Sequence, residues 1–64
     1  MAISIKAARV NAGFTQTQVA ERVGKTKNTI ASYEAYTTTP DIKTAQDMAE
    51  MFGMSIDDII WTRD

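Results

Sequence analysis

Three polar residues in one short segment, Lys27, Asn28 and Ser32, have side chains suited to hydrogen bonding with the edges of nucleic-acid bases. An asparagine amide can pair bidentately with adenine, and a lysine ammonium can donate to O6 and N7 of guanine. On a helix that begins near Lys27, the three side chains lie on the outward face of its N-terminal half. This face is polar without being heavily charged, as expected where bases are read rather than phosphates clamped. The alternative is an ordinary solvated helix face.

The segment that must position these side chains is Gln16–Ala35, which predicts two short helices joined by a tight turn. Thr15 is suited to cap the first helix, with Gln18 completing a capping box. Gly24 can adopt the left-handed conformation that ends a helix, and Thr26 can cap the second helix. Apolar or small residues at helical spacing would face a common core: Val19, Ala20, Val23, Ile30 and Tyr33.

These features resemble the helix-turn-helix of the phage repressor and Cro-like DNA-binding proteins, a lambda repressor-like family of the XRE type. The resemblance extends from about Ile5 to Trp61, nearly the whole chain. The matching parts are Thr15-Gln16, Ala20 with Val19 and Val23, Gly24, the run from Thr29 to Glu34, Arg9, Pro40 and the run from Gly53 to Ile60. For the helical hairpin alone, a plain two-helix element of a small bundle is an equally good interpretation.

The resemblance implies roles for particular residues. Base readout falls to Lys27, Asn28, Ser32 and Thr26, and phosphate contacts fall to Gln16, Thr17, Lys25, Tyr36, Thr37 and Thr38. Arg9 is implied to form a structural ion pair with Glu34. The family commonly has a glycine near Ala35-Tyr36 to close this helix, so either Tyr36 becomes left-handed or the helix ends differently. The loop after Tyr36 is uncharged where the family tends to be basic, which predicts a weaker grip on phosphates.

Composition sets limits on the class of protein. With 64 residues the chain is expected to be one helix-turn-helix domain, residues 1–64, near the lower size limit for a core without staples. It has no cysteine and no histidine, which excludes disulfides and the usual zinc sites. No apolar run reaches the ~20 residues of a membrane span, and the start does not look like a signal peptide. We therefore expect a cytoplasmic protein with no membrane association, no metal and no cofactor.

The net charge of −1 is unevenly distributed along the chain. Up to Tyr33, five basic residues stand against Glu21 alone. From Glu34 onward, seven acidic residues stand against Lys43 and Arg63. This asymmetry predicts a dipole that orients the basic half towards a polyanion, although chance clustering on a solvated surface would look the same. The acidic half predicts limited non-specific affinity for DNA.

The predicted fold class is all-α, a compact five-helix bundle with the helix-turn-helix in helices 2 and 3. Helix 1 is predicted from about Ser4 to Ala12, and helix 4 follows Pro40-Asp41. The inward stripe of helix 4 is predicted to be Ile42, Ala45, Met48, Ala49 and Phe52. Helix 5 is predicted to start at Ser55, with Asp57 and Asp58 in its first turn. Because adjacent helical residues point in different directions, this acidic pair indicates helix capping rather than a metal or acid–base site.

The C-terminal segment Ile59-Ile60-Trp61 is more apolar than a monomer of this size requires. One or two of these residues can close the core, and the remainder would form an exposed patch. We expect this segment to be the interface of a homodimer, at least on DNA. A two-fold dimer would place its recognition helices ~34 Å apart on a palindromic double-stranded operator.

Two functions remain open. The favoured one is a sequence-specific DNA-binding transcriptional regulator of phage or prophage type, a Cro-like repressor that reads the major groove with helix 3. The alternative is a protein-interaction module of the same fold that binds another regulator. An enzyme is not expected, because the chain has no catalytic histidine or cysteine and its glycines do not form a phosphate-binding loop. No small-molecule ligand is expected either.

Overall fold

A computed structural model describes residues 1–63, which begin and end in short strands on either side of four α-helices. The elements in chain order are strand β1 (Ile3–Ser4), helices α1 (Ile5–Asn11), α2 (Gln16–Val23), α3 (Lys27–Glu34) and α4 (Ile42–Phe52), a 3₁₀ turn (Ile56–Asp58) and strand β2 (Ile59–Ile60). Strands β1 and β2 pair in parallel, with Ile3 opposite Ile59 and Ser4 opposite Ile60.

One core holds the helices together. Four of its side chains are fully buried, one from each helix: Ile5, Val19, Ile30 and Met48. Phe14, between α1 and α2, packs on this core with its ring centroid 6.4 Å from that of Phe52. Burial of such side chains stabilises the fold by roughly 1.5–3 kcal/mol each. Helix α3 contributes Ile30 and Tyr33 to the core, and their burial holds this helix against the rest of the protein.

Local signals set the helix boundaries as the sequence predicts. The Thr15 hydroxyl accepts from the Gln18 backbone N–H, and the Gln18 side-chain oxygen accepts from the Thr15 backbone N–H. These two hydrogen bonds confirm the capping box. Gly24 and Gly53 end their helices in the left-handed conformation, with φ of 71° and 70°. Glycine adopts this conformation without the clash that a Cβ would cause.

The predicted helix 5 is wrong, and with it the count of five helices. Ser55 does cap a turn, but that turn is a 3₁₀ turn of three residues that gives way to β2. The branched residues Ile59 and Ile60 favour extended backbone, and β1 supplies them with a partner strand. The Trp61 indole N–H also donates to the Ile56 carbonyl at 2.9 Å, which folds the end of the chain back over the turn.

The predicted inward stripe of α4 is wrong at its first residue. Ala45, Met48, Ala49 and Phe52 are buried, whereas Ile42 is 68% exposed. Ile42 is the first residue of α4, and burial on this helix begins only at Thr44 and Ala45. Among residues 1–63, no helix is both long and apolar enough to cross a membrane.

The first turn of α4 depends on an acidic cap whose effect is sensitive to pH. The Thr44 side chain, the Thr44 backbone N–H (3.0 Å to Asp41 Oδ1) and the nearby Lys25 charge lower the pKa of Asp41. A lowered pKa stabilises the fold above the unfolded-state value of about 4, and this contribution disappears as the pH falls through the lower folded value. We expect wild type to be more stable than Asp41→Asn at pH 6, and the difference to vanish towards pH 2. Denaturant unfolding at both values measures it, and a difference that persists at pH 2 would contradict this assignment.

Candidate nucleic-acid interface

A short, tight turn connects helices α2 and α3. The Gly24 N–H bonds the Ala20 carbonyl, and the Lys25 N–H donates to the same oxygen at 2.9 Å. Ala20 is buried, and its small side chain suits a position where the two helices lie close together. The turn therefore fixes where α3 starts relative to α2.

The outward face of α3 is accessible. Lys27 and Asn28 are exposed, and Ser32 is half-buried one turn further along. None of the three is part of the core, which α3 reaches through Ile30 and Tyr33. Asn28 and Ser32 are four residues apart and share a face of α3, and Lys27 precedes Asn28 in the first turn. The structure thus leaves a cation, an amide and a hydroxyl accessible along α3, where they can donate to and accept from a ligand.

Thr26, predicted to read bases, has a hydroxyl engaged with α3 itself. Its Oγ1 accepts from the Thr29 N–H at 3.2 Å and lies 3.0 Å from the Thr29 hydroxyl. This is the geometry of an N-cap, which satisfies one of the N–H groups left free at a helix start. Thr26 therefore holds the first turn of α3, where Lys27 and Asn28 lie.

Removing this cap will weaken α3 without touching the exposed face. We expect Thr26→Ala to lower the free energy of unfolding by about 1 kcal/mol, measured by urea denaturation. The matched control is Thr38→Ala in the exposed α3–α4 loop, which we expect to change stability by less than about 0.5 kcal/mol. Equal effects of the two substitutions would contradict the capping role.

Arg9 and Glu34 are joined beneath α3 in a largely buried network. Arg9 Nε donates to Glu34 Oε2 at 2.5 Å, and Nη2 donates to Oε1 at 3.3 Å; the side chains are 11% and 6% exposed. Arg9 Nη1 also donates to the Phe14 carbonyl at 2.8 Å, and Gln16 Nε2 donates to Glu34 Oε1 at 3.0 Å. One carboxylate thus connects α1, the start of α2 and the end of α3.

The residues predicted to contact phosphate differ in exposure and in the hydrogen bonds that they already make. Thr17, Lys25, Thr37 and Thr38 are exposed and lie at the start of α2, in the turn and in the α3–α4 loop. The Gln16 amide, by contrast, is half-buried and already donates to Glu34. A second Gln16 amide proton is still available for donation, since the amide has two.

Tyr36 closes α3 in a left-handed conformation, with φ of 60°. Its N–H donates to the Tyr33 carbonyl at 3.1 Å, and the Thr37 N–H donates to the Ser32 carbonyl at 3.0 Å. This is the hydrogen-bond pattern of a helix end that usually has glycine at this position, and a side chain there costs roughly 1–2 kcal/mol. The Tyr36 hydroxyl donates to the Ile60 carbonyl at 2.8 Å. Its single proton is therefore used within the chain rather than offered to a phosphate.

The three residues predicted to form a dimer interface are placed differently from one another. Ile59 is 4% exposed and belongs to the core of its own chain, so it offers almost no surface to a second copy. Ile60, its neighbour on β2, points the other way and is 43% exposed. Trp61 is half-buried against the core. Ile60 is therefore the exposed residue of the three, and the other two pack on the core, as the sequence predicts for one or two of them.

Sequence reasoning missed two parts of this site, the Gln16–Glu34 bond and the two partners of the Tyr36 hydroxyl. Residues 18, 24 and 31 positions apart form these contacts, and no local pattern signals them. The sequence predicts the positive φ of Tyr36 as one of two alternatives, the other being a different end to α3, because no glycine is present to close this helix.

Comparison with known proteins agrees with this arrangement. The family described as Helix-turn-helix (HTH_3) matches residues 5–59, which include all four helices of the described chain and the first residue of β2. A relative in Bacillus subtilis (strain 168), named "Uncharacterized HTH-type transcriptional regulator YgzD", is 30% identical over 57 residues, covering 89% of this chain and 86% of its own. With a capped, glycine-turned helix pair on a common core and a family match over most of its length, this chain belongs to the helix-turn-helix family, XRE type.

Proposed function

We propose that this protein is a sequence-specific DNA-binding transcriptional regulator that reads bases in the major groove with α3. The observation that carries the proposal is the exposed face formed by Lys27 and Asn28 at the start of a rigidly held helix. Its side chains have the donors and acceptors that distinguish base pairs in the major groove. The relative's description as a transcriptional regulator supports the same role.

The surroundings of α3 support a grip on the DNA backbone. Lys25 lies in the turn before α3, while Thr37 and Thr38 follow its end, and all three are exposed. Hydroxyl and ammonium groups at these positions are suited to phosphate oxygens, which position a protein without specifying sequence. The acidic residues of the second half limit the number of phosphates neutralised, so we expect weak non-specific binding to DNA.

Two copies are required to contact successive turns of one DNA face. The Cα atoms span 28 × 24 × 20 Å, less than the ~34 Å that separates successive major-groove contacts. We propose a homodimer on a palindromic operator, with Ile60 and Trp61 at the interface, acting in the manner of a Cro-like phage or prophage repressor that blocks a promoter. Sedimentation of the protein–DNA complex measures how many copies bind one operator. A complex that contains a single copy would exclude the dimer.

A second function, binding to another regulator instead of DNA, is favoured by one observation. Ile60 is an exposed apolar residue on β2, which pairs with β1 alone in a two-stranded sheet, and a strand at the edge of a sheet can pair with another chain. On this alternative, Ile60→Ser would abolish function and changes at Lys27 would leave it intact.

Selection of bound sites from a random-sequence DNA pool tests the proposed function. We expect enrichment of an inverted repeat whose half-sites are centred about 10 bp apart. The sensible control is a Lys27→Ala/Asn28→Ala variant, which retains the fold because both residues are exposed, and which should enrich no defined sequence. A pool that stays random with the wild-type protein would contradict DNA readout.

A further inference from the structure

Tyr36 is the one non-glycine residue with a positive φ among the described residues, and its side chain reaches two distant segments. The hydroxyl donates to the Ile60 carbonyl of β2 at 2.8 Å and accepts from the Ile5 N–H at 3.3 Å. Its backbone, meanwhile, closes α3. One residue thus connects the end of α3, the start of α1 and the C-terminal strand.

The combination of strain and contacts requires an explanation. Glycine would satisfy the helix end without the crowding that a Cβ suffers at positive φ. What glycine could not supply is the ring, which packs on the core, and the hydroxyl. Ile5 is the first residue of α1, so its N–H has no partner within that helix, and the Tyr36 oxygen supplies one.

These contacts place α3 and β2 in a fixed relation. An aromatic side chain has only two rotatable torsions, so a ring anchored at its base and at its hydroxyl is a stiff strut. At one end of this strut is the last turn of α3. At the other is Ile60, whose side chain is 43% exposed and belongs to the proposed self-association surface.

We propose that Tyr36 is a positioning residue for operator recognition, which sets the orientation of α3 relative to a second copy docked at Ile60. The inference rests on the proposed function and goes beyond it, because it assigns a role in recognition to a hydroxyl whose hydrogen bonds are made within the chain. The spacing between two recognition helices depends on how rigidly each is held relative to the dimer surface. Loss of the strut loosens that spacing and leaves each single helix able to read its own half-site.

The test compares two DNA duplexes, one with two inverted half-sites of the selected sequence and one with a single half-site. Tyr36→Phe removes the hydroxyl and keeps the ring. We expect its affinity to fall about fivefold or more on the two-site duplex and less than about twofold on the single site, because each copy loses the two contacts of the hydroxyl that connect α3 with β2 and α1. The matched control Thr38→Ala, in the same loop, should lose a per-copy factor on the single site and about the square of that factor on the two-site duplex, which two copies occupy.

Two further measurements keep this test independent of folding. In free Tyr36→Phe protein, we expect the Ile5 amide to exchange with solvent about fivefold faster, since it has lost its acceptor. Tyr36→Gly relieves the backbone strain but also removes the ring from the core, so we expect it to be less thermally stable than Tyr36→Phe. It should still show the same selective loss on the two-site duplex. A stability defect alone could not produce that pattern.

The outcomes separate the inference from the function on which it rests. A loss on the two-site duplex no greater than the square of the single-site loss, or no loss on either, would overturn the positioning role and leave DNA binding standing. If wild type bound neither duplex, the proposed function would fail, and the positioning role would fail with it.

Discussion

Glu34→Ala will lower the free energy of unfolding by about 3–5 kcal/mol, enough to leave much of the protein unfolded at 25 °C. Its carboxylate accepts from Arg9 and Gln16 in an almost fully buried position. Removing one partner of a buried ion pair leaves the other charge without compensation, which is the costly case. A domain of this size has a total stability of only about 3–5 kcal/mol. Urea denaturation followed by circular dichroism measures the loss.

Two variants make this result interpretable. Glu34→Gln keeps an acceptor oxygen in the same place, so we expect a smaller loss and a protein that stays folded. Lys43→Ala breaks an exposed i,i+4 pair with Asp47, in which the side chains are 81% and 46% exposed, and should cost less than about 0.5 kcal/mol. If Glu34→Ala cost no more than Lys43→Ala, the buried network would not be what holds α1, α2 and α3 together.

Asn28→Ala will weaken binding to the selected operator by about 1–3 kcal/mol, roughly 5- to 150-fold, and will relax preference at one base pair in each half-site. The physical reason is that a bidentate amide–base pair is lost and the base edge is left without its partner. Competition binding with operators altered one position at a time measures both effects. Folding should be unaffected, because Asn28 is exposed.

The chain offers matched controls for the two base-reading residues. Asn11 is an exposed asparagine at the end of α1, and Lys6 is an exposed lysine on the same helix. Asn11→Ala should not change operator affinity, and Lys6→Ala should weaken binding to all sequences equally through the loss of one charge. Lys27→Ala must in addition relax preference for particular bases. Equal behaviour of Lys27→Ala and Lys6→Ala would mean that α3 contributes charge but no readout.

The features that could be predicted are those encoded within a few residues of one another. Thr15 and Gln18 cap each other across three positions, and Gly24 ends α2 by its own conformational freedom, so both were accessible from the sequence. The exposed placement of Lys27 and Asn28 follows in the same way from the apolar spacing of Ile30 and Tyr33.

The features that could not be predicted depend on distant partners. Each strand has only two residues, too few for a periodic pattern, and Ile59 becomes extended because Ile3 lies beside it. Ser55 and the two acidic residues after it predict a helix start, because a helix start favours the same residues that begin this 3₁₀ turn. Ile42 has the right spacing for the core, yet no neighbour among residues 1–63 covers it. The pairing of Arg9 with Glu34 followed from family resemblance, since nothing in the spacing of two residues 25 positions apart identifies it.

The most direct measurement is amide chemical-shift mapping of the ¹⁵N-labelled protein during titration with the selected duplex. If α3 enters the groove, the largest changes will fall on Lys27, Asn28 and Ser32, with smaller ones at Lys25, Thr37 and Thr38. Changes confined to Ile60 and Trp61, with α3 unperturbed at saturation, would contradict base readout by this helix.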